Sequence, residues 1–185
     1  MTKPQLHAIG GISCVARPGP GQTVILLHGI GSNATSFTPV LDKLSDHLNV
    51  LAWNAPGYLT SQPLPMEWPM AVDYAHRLAQ FLDDLGLSSV HLVGHSLGTL
   101  IAAAFARAFP ERVDSLFLAS SANGYGIARG GELSAKVSAR LADLDQLGPA
   151  VFAKARAANL VYDPENNPDI VDRVETAMAQ INPDG

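Results

Sequence analysis

Five residues, Gly94-His95-Ser96-Leu97-Gly98, constrain this chain more than any other stretch because of what flanks them. Ahead of them lies Val90-His91-Leu92-Val93, short, β-branched and apolar, as a buried strand is. Behind them lies Leu100-Ile101-Ala102-Ala103-Ala104-Phe105-Ala106, apolar on every side, as a buried helix is. A strand that turns directly into a helix on G-x-S-x-G holds its serine in a strained conformation, with the hydroxyl raised above the sheet. Side chains in place of Gly94 and Gly98 would clash in so tight a turn. The helix start aims unpaired N–H groups and its positive dipole end at any negative charge developing beside Ser96. Chance produces such a pentapeptide in a chain of this kind about one time in ten. The strand and the helix around it are what make Ser96 a candidate nucleophile.

The same alternation runs through the first two-thirds of the sequence. Residues 5 to 17 read as a β-hairpin turning on Gly10-Gly11, and Pro18-Gly19-Pro20-Gly21 breaks the chain after it. Thr23 to Leu27 is a buried strand followed by the loop His28-Gly29-Ile30-Gly31-Ser32-Asn33. Helical spacing at Phe37, Val40, Leu41, Leu44 and Leu48 predicts a helix over 36–48, and Asn49 to Trp53 is a strand again. Four prolines between 54 and 69 exclude regular structure there. Ala71 to Leu85 reads as an amphipathic helix, Pro110 ends the helix after the elbow, and Val113 to Leu118 makes one more strand. Apolar strands alternating with helices predict an α/β fold with a doubly wound, mostly parallel sheet. Ligands bind such sheets beyond the carboxyl ends of the strands, where the His28, Asn54, Ser96 and Ser120-Ser121 loops converge.

After about Gly124 the pattern becomes helical only, with stripes at Leu133, Val137, Leu141 and Leu144, at Val151, Phe152 and Ala155, and at Ile170, Val174, Ala177, Met178 and Ile181. Asn167-Pro168-Asp169 is a helix start. The division expected is a core over 1–123 and a helical cap over 124–185 that covers the rim.

Composition narrows the partners. A net charge of −5 with no Lys/Arg cluster argues against nucleic acid or an anionic membrane, and the longest apolar run is too short to span a bilayer. The single cysteine, Cys14, excludes an internal disulfide, and the N-terminus lacks a secretory h-region, so a cytoplasmic setting is expected. No metal site is expected: His91 and His95 on one strand are separated by about 13 Å. No feature implies a cofactor or sets an oligomeric state.

From Thr23 to Ala122 the order of these elements and motifs resembles the α/β-hydrolase fold family. His28-Gly29-Ile30-Gly31 resembles its oxyanion loop, which implies that the backbone N–H groups of Ile30 and Leu97 hold the oxyanion. Each such donor is worth about 3 kcal/mol in a transition state. On this resemblance Gly94, His95 and Gly98 support the elbow, while His28, Gly29 and Gly31 support the loop. Trp53-Asn54-Ala55-Pro56-Gly57-Tyr58 resembles the family's D-x-P-G-x-G loop, with Asn54 in place of the acid and Leu59 in place of the second glycine. The general wording is most similar to 3-oxoadipate enol-lactonases and related hydrolases of ring-cleavage products. Ser96 excludes the relatives with an aspartate nucleophile.

The function this implies is hydrolysis of a small carboxylic ester or lactone through an acyl-enzyme, in a pocket for which Phe37, Tyr58 and Trp68 are candidates. Hydrolysis of a carbon–carbon bond, acyl transfer and non-catalytic binding on the same scaffold are the alternatives. A serine needs a base oriented by a third group, and in this family an acid and a histidine follow it along the chain. No such pair follows Ser96 here, and His28 is the candidate base among the histidines present. The expectation is therefore a sheet that stops before its last strands, with Val113–Leu118 as a bare edge, and a chain inactive by itself.

Overall fold

The computed structural model describes residues 5–182. Six strands form one sheet in the order β1-β2-β4-β3-β5-β6, with β1 Gln5–Ile9, β2 Ile12–Arg17, β3 Thr23–Leu27, β4 Asn49–Trp53, β5 Val90–His95 and β6 Val113–Ala119. The hairpin β1–β2 and the pair β2–β4 are antiparallel, and β4, β3, β5 and β6 run parallel. Ile9 pairs with Ile12 across a two-residue turn. Gly10 and Gly11 sit there at φ 55° and 83°, the left-handed values a tight hairpin demands of both residues.

Alternation along the strands separates two faces. Ile25, Leu27, Leu51, Trp53, Val90 and Leu92 point to the face covered by α2 Ala71–Asp84 and α3 Leu97–Ala108, where Leu78, Phe81, Leu82, Ile101 and Phe105 are buried among them. Leu26, Val50 and Ala52 point to the other face and meet Ala34 and Leu41. Helices therefore lie on both faces, as a doubly wound sheet requires.

The helix predicted over 36–48 is not one helix. A 3-10 turn at Ala34–Phe37 leads into a single helical turn, α1 Thr38–Leu41, and the chain then leaves the helix. Arg17 on β2 holds the segment that follows, its guanidinium donating to the Ser45 carbonyl and to Asp46 Oδ1, both at 2.8 Å. The next two expected stripes lie on separate helical stretches: α4, Ala135–Arg156, is broken at Gly148, whose φ of 71° and ψ of 162° are not helical, just ahead of Pro149.

The last helix, α5 Pro168–Met178, begins at Asn167 as predicted. Phe152, Ala153 and Met178 form a small core between α4 and α5. α5 then leans on the sheet region, with Met178 and Ile181 against Gly31 and with Asn33 Nδ2 donating to Gln180 Oε1 at 3.0 Å. Among the described residues β6 is an edge strand, and its Leu116, Phe117 and Leu118 are exposed.

Candidate active site

β5 ends at His95, and α3 begins at Leu97, leaving Ser96 alone between them at φ 52° and ψ −115°. Such a backbone costs on the order of 1–3 kcal/mol and persists only where the surroundings enforce it. Three contacts do so here. The Ser96 amide donates to the Ala119 carbonyl at 3.0 Å, which carries the β5–β6 ladder one residue further. The Ser96 carbonyl accepts from the Thr99 amide at 2.9 Å and from the Thr99 hydroxyl at 2.6 Å. The two glycines are forced by proximity: a Cβ on Gly94 would lie 2.6 Å from the Gly98 carbonyl oxygen, and one on Gly98 2.2 Å from that of Leu27.

The register of the parallel strands sets the opposite wall. Leu27 pairs with both Trp53 and Gly94, so the loop after β3 leaves the sheet beside the elbow. Gly29 passes so close to Ser96 that a Cβ on it would sit 3.0 Å from the Ser96 Cβ and 3.3 Å from His95 Nδ1. His95 is exposed, while Ile30 and Gly31 continue the loop past Ser96. The amides of Ile30 and Leu97 donate to no described protein acceptor. They are free for a ligand.

His28 is fully engaged and does not reach for the serine. Its Nε2 accepts from the Ala55 amide at 3.0 Å, its Nδ1 bonds the Gly29 carbonyl at 2.9 Å, and its ring packs edge-on against Tyr58 at 4.6 Å. Burial pulls its pKa down to about 4, so it stays neutral and holds the loop. That disposes of His28 as the serine's base. No other side chain among the described residues hydrogen-bonds the Ser96 hydroxyl.

The three candidate pocket aromatics are not gathered into one wall. Phe37 packs with Leu26 and Leu41, whereas Tyr58 packs with the cluster on the α2–α3 face. Burial pushes the Tyr58 hydroxyl up to about 12. Trp68 lies half-buried in the proline-bearing loop, where its carbonyl accepts from Arg129 at 2.8 Å. An open hollow of about 390 Å³ occurs instead at the start of the helical segment, lined by Tyr125, Ile127, Glu132, Leu133, Ser134 and Ala135.

Several residues that hold the site carry no motif. Thr99 bonds Ser96 on one side and accepts from the Ala122 amide at 3.0 Å on the other, tying the loop after β6 to the elbow. A lone threonine in the apolar start of α3 was the available signal. Asn54 is wholly buried and bonds Ala34 and Ser13. Leu59, standing where the resembling loop has its second glycine, takes a left-handed φ of 50°, a cost of about 1 kcal/mol that a glycine avoids.

Among the described residues no helix is long and apolar enough to cross a membrane, and no group of side chains is arranged to hold a metal ion. A sequence model of the alpha/beta hydrolase fold matches residues 22–161. The chain is 38% identical over 104 residues to a 2-hydroxy-6-oxo-2,4-heptadienoate hydrolase of Pseudomonas putida, a match covering 54% of this chain and 37% of that one. It is 38% identical over 112 residues to the dihydrolipoyllysine-residue acetyltransferase component of an acetoin cleaving system from Cupriavidus necator, covering 60% and 29%. The chain thus spans less than two-fifths of the length of these curated relatives. Among solved structures it superposes on a hydrolase from Pseudomonas aeruginosa with a TM-score of 0.78 at 22% identity, covering 97% of this chain and 68% of that one. For the enol-lactonase from Burkholderia xenovorans the values are 0.77, 18%, 97% and 69%. Strand order, elbow and family match agree: the chain belongs to the α/β-hydrolase fold family.

Proposed function

We propose that this chain carries the nucleophile half of a serine hydrolase that cleaves a small carboxylic ester or lactone through an acyl-enzyme. The observation that carries the reading is Ser96 at φ 52°, flanked by the unengaged amides of Ile30 and Leu97. In this reading Ser96 Oγ attacks the acyl carbon, the two amides hold the oxyanion, and the alcohol leaves. Water then releases the acid.

With His28 spent on its own loop, the acid and the histidine of the triad are assigned outside the described residues. The 185 residues by themselves are then expected to give no esterase turnover. The segment 124–185 acts as a cap over the rim, resting on the oxyanion loop through Asn33 and Gly31. A cytoplasmic setting suits the buried, unpaired Cys14, whose thiol burial pushes up to about 11. Carbon–carbon bond hydrolysis is the second reading, favoured by the likeness to the Pseudomonas putida dienoate hydrolase.

The test is an alkyl fluorophosphonate applied to the full-length protein, with the modified peptide located by mass spectrometry. Label is expected on Ser96 and absent from Ser96→Ala. Label elsewhere, or none, sinks the proposal.

A further inference from the structure

The peptide unit between Ser96 and Leu97 carries two groups of the site at once. Its carbonyl is the Ser96 oxygen, and its N–H is the Leu97 donor. A trans peptide is planar, with C=O and N–H on opposite sides, so whatever orients the Ser96 carbonyl also aims the Leu97 N–H.

One residue holds that carbonyl. The Thr99 amide donates to it at 2.9 Å and the Thr99 hydroxyl at 2.6 Å. A carbonyl oxygen has two lone pairs, and Thr99 fills both. The single proton of the hydroxyl is on Ser96, and its oxygen accepts the Ala122 amide at 3.0 Å. Ala122 lies three residues beyond Ala119, whose carbonyl takes the Ser96 amide at 3.0 Å. The stretch 119–122 therefore grips the elbow on both sides of Ser96, and Ser120 between the two grips takes a left-handed φ of 49°. Thr99 is 2% exposed, so water has little access to these bonds.

A threonine that bonds a carbonyl three residues back is ordinary inside a helix. Here the carbonyl belongs to the residue that precedes α3, and two consequences follow. Serine is among the strongest helix caps because its hydroxyl accepts an amide two or three residues on. The Thr99 amide is already on the Ser96 carbonyl, and the Ser96 side chain makes no cap bond to α3, which leaves the attacking hydroxyl free of its own helix. A carbonyl that accepts two hydrogen bonds also polarises its peptide, and the N–H of that peptide becomes a better donor.

We propose that Thr99 is a positioning residue for the oxyanion, its hydroxyl, anchored by Ala122, aiming and strengthening the Leu97 N–H. This rests on the oxyanion role given to Leu97 above. Ile30 stands on a separate loop, so loss of the Thr99 hydroxyl weakens one donor of the two and leaves the other.

The test uses the full-length protein and two reagents, an alkyl fluorophosphonate and its P=S counterpart. With both, the bond from Ser96 Oγ to phosphorus forms as fluoride leaves. Sulfur is a poor acceptor for a backbone N–H, so only the P=O reagent draws fully on the oxyanion donors. Thr99→Val keeps the volume and removes the hydroxyl. Its labelling rate relative to wild type should fall about tenfold with the P=O reagent, less than the loss of a whole donor gives, and by under about twofold with the P=S reagent. The P=O to P=S ratio does not depend on how much of the variant is folded. Thr99→Ser, which keeps the hydroxyl, should recover most of the P=O rate. Hydrogen exchange of the Ala122 amide should speed up about tenfold or more in Thr99→Val. Unchanged exchange there means that the Thr99–Ala122 bond is not made in solution, and the proposal falls. Equal losses with both reagents, or none, also overturn it while leaving Ser96 as the nucleophile, since a general loosening of the elbow slows both alike. A Thr99→Ser variant as slow as Thr99→Val overturns it too, because the methyl group would then be what matters. If wild type takes no label at Ser96 from either reagent, the serine-hydrolase reading fails and this proposal with it.

Discussion

At the elbow a Cβ on Gly98 would sit 2.2 Å from the Leu27 carbonyl oxygen, and one on Gly94 2.6 Å from that of Gly98; Cβ atoms on Gly126, Gly130 and Gly148, all beyond the sheet, would meet nothing within 4 Å. The contrast extends to the packing. The sheet region buries Trp53, Phe81 and Phe105 completely, whereas the helices after Gly124 leave Leu141, Leu147 and Val151 about half exposed. In the first region backbone atoms are pressed against backbone atoms, so the position of Ser96 is over-determined. In the second, Gly126, Gly130 and Gly148 take positive φ in open space, while among the described glycines there Gly131 alone is pressed against a backbone atom, the Ala128 carbonyl. The first kind of construction fixes a backbone in one conformation, and the second leaves it adjustable.

The sharpest way to break that contrast is a pair of alanine substitutions. Gly98→Ala drives a methyl group into the backbone of β3 and is expected to cost about 3 kcal/mol, with loss of the Ser96 geometry. Gly126→Ala meets open space and pays only for a positive φ, about 1 kcal/mol. Urea midpoints of both variants check this. Equal losses would mean that close packing at the elbow is not what distinguishes the two regions.

Acid separates them next. All six histidines lie at or before residue 95, so the helical segment has none. His28 titrates at 6.5 when exposed and at about 4 in the fold, because burial disfavours its charged form. The folded value is the lower one, so its contribution is present above pH 6.5 and is lost as the pH falls toward 4. That gap corresponds to about 3 kcal/mol. Stability measured from pH 7 down to 4 should show the loss in wild type and much less of it in His28→Asn. Identical slopes in the two proteins would remove His28 as the cause.

What was legible in the sequence divides along the same line. The inner strands β3, β4 and β5 were visible as short apolar runs between breakers, because burial on both faces leaves that mark in local composition. The elbow was visible as a five-residue pattern between a strand and a helix, although only Gly94 answers to a clash within it and Gly98 answers to the Leu27 carbonyl. The helix over 36–48 stops at Leu41, and the stretch after it is held by Arg17, 28 residues upstream of the carbonyl it takes, a partner that leaves no mark in the local spacing. Asn54, Ser13 and Ser61 were unreadable for a similar reason. Their hydrogen bonds span up to 48 positions, and a serine in a strand or loop carries no local sign of the partner it will find. The break in α4 at Gly148 falls between the two helical stripes, at a Gly-Pro pair.

The smallest effect concerns the one tie by charge between the two regions among the described residues. Arg129, in the irregular stretch before α4, donates to Asp73 Oδ2 at 2.6 Å and to the Trp68 carbonyl at 2.8 Å. Asp73 also accepts from the Met70 amide at 2.6 Å, capping α2. The Met70 bond first, and Arg129 after it, hold the Asp73 carboxyl below its ordinary range. Its contribution is therefore present above the ordinary carboxylate pKa and fades as the pH falls through the lowered one. Arg129 is half exposed, so the pair is worth less than about 1 kcal/mol. Arg129→Ala should leave the unfolding midpoint nearly unchanged and α2 intact, since Asp73 still caps it. The same variant should speed limited proteolysis within 124–134 severalfold. Unchanged proteolysis would show that contacts of α5 with the loop after β3, and not this ion pair, hold the helical segment in place.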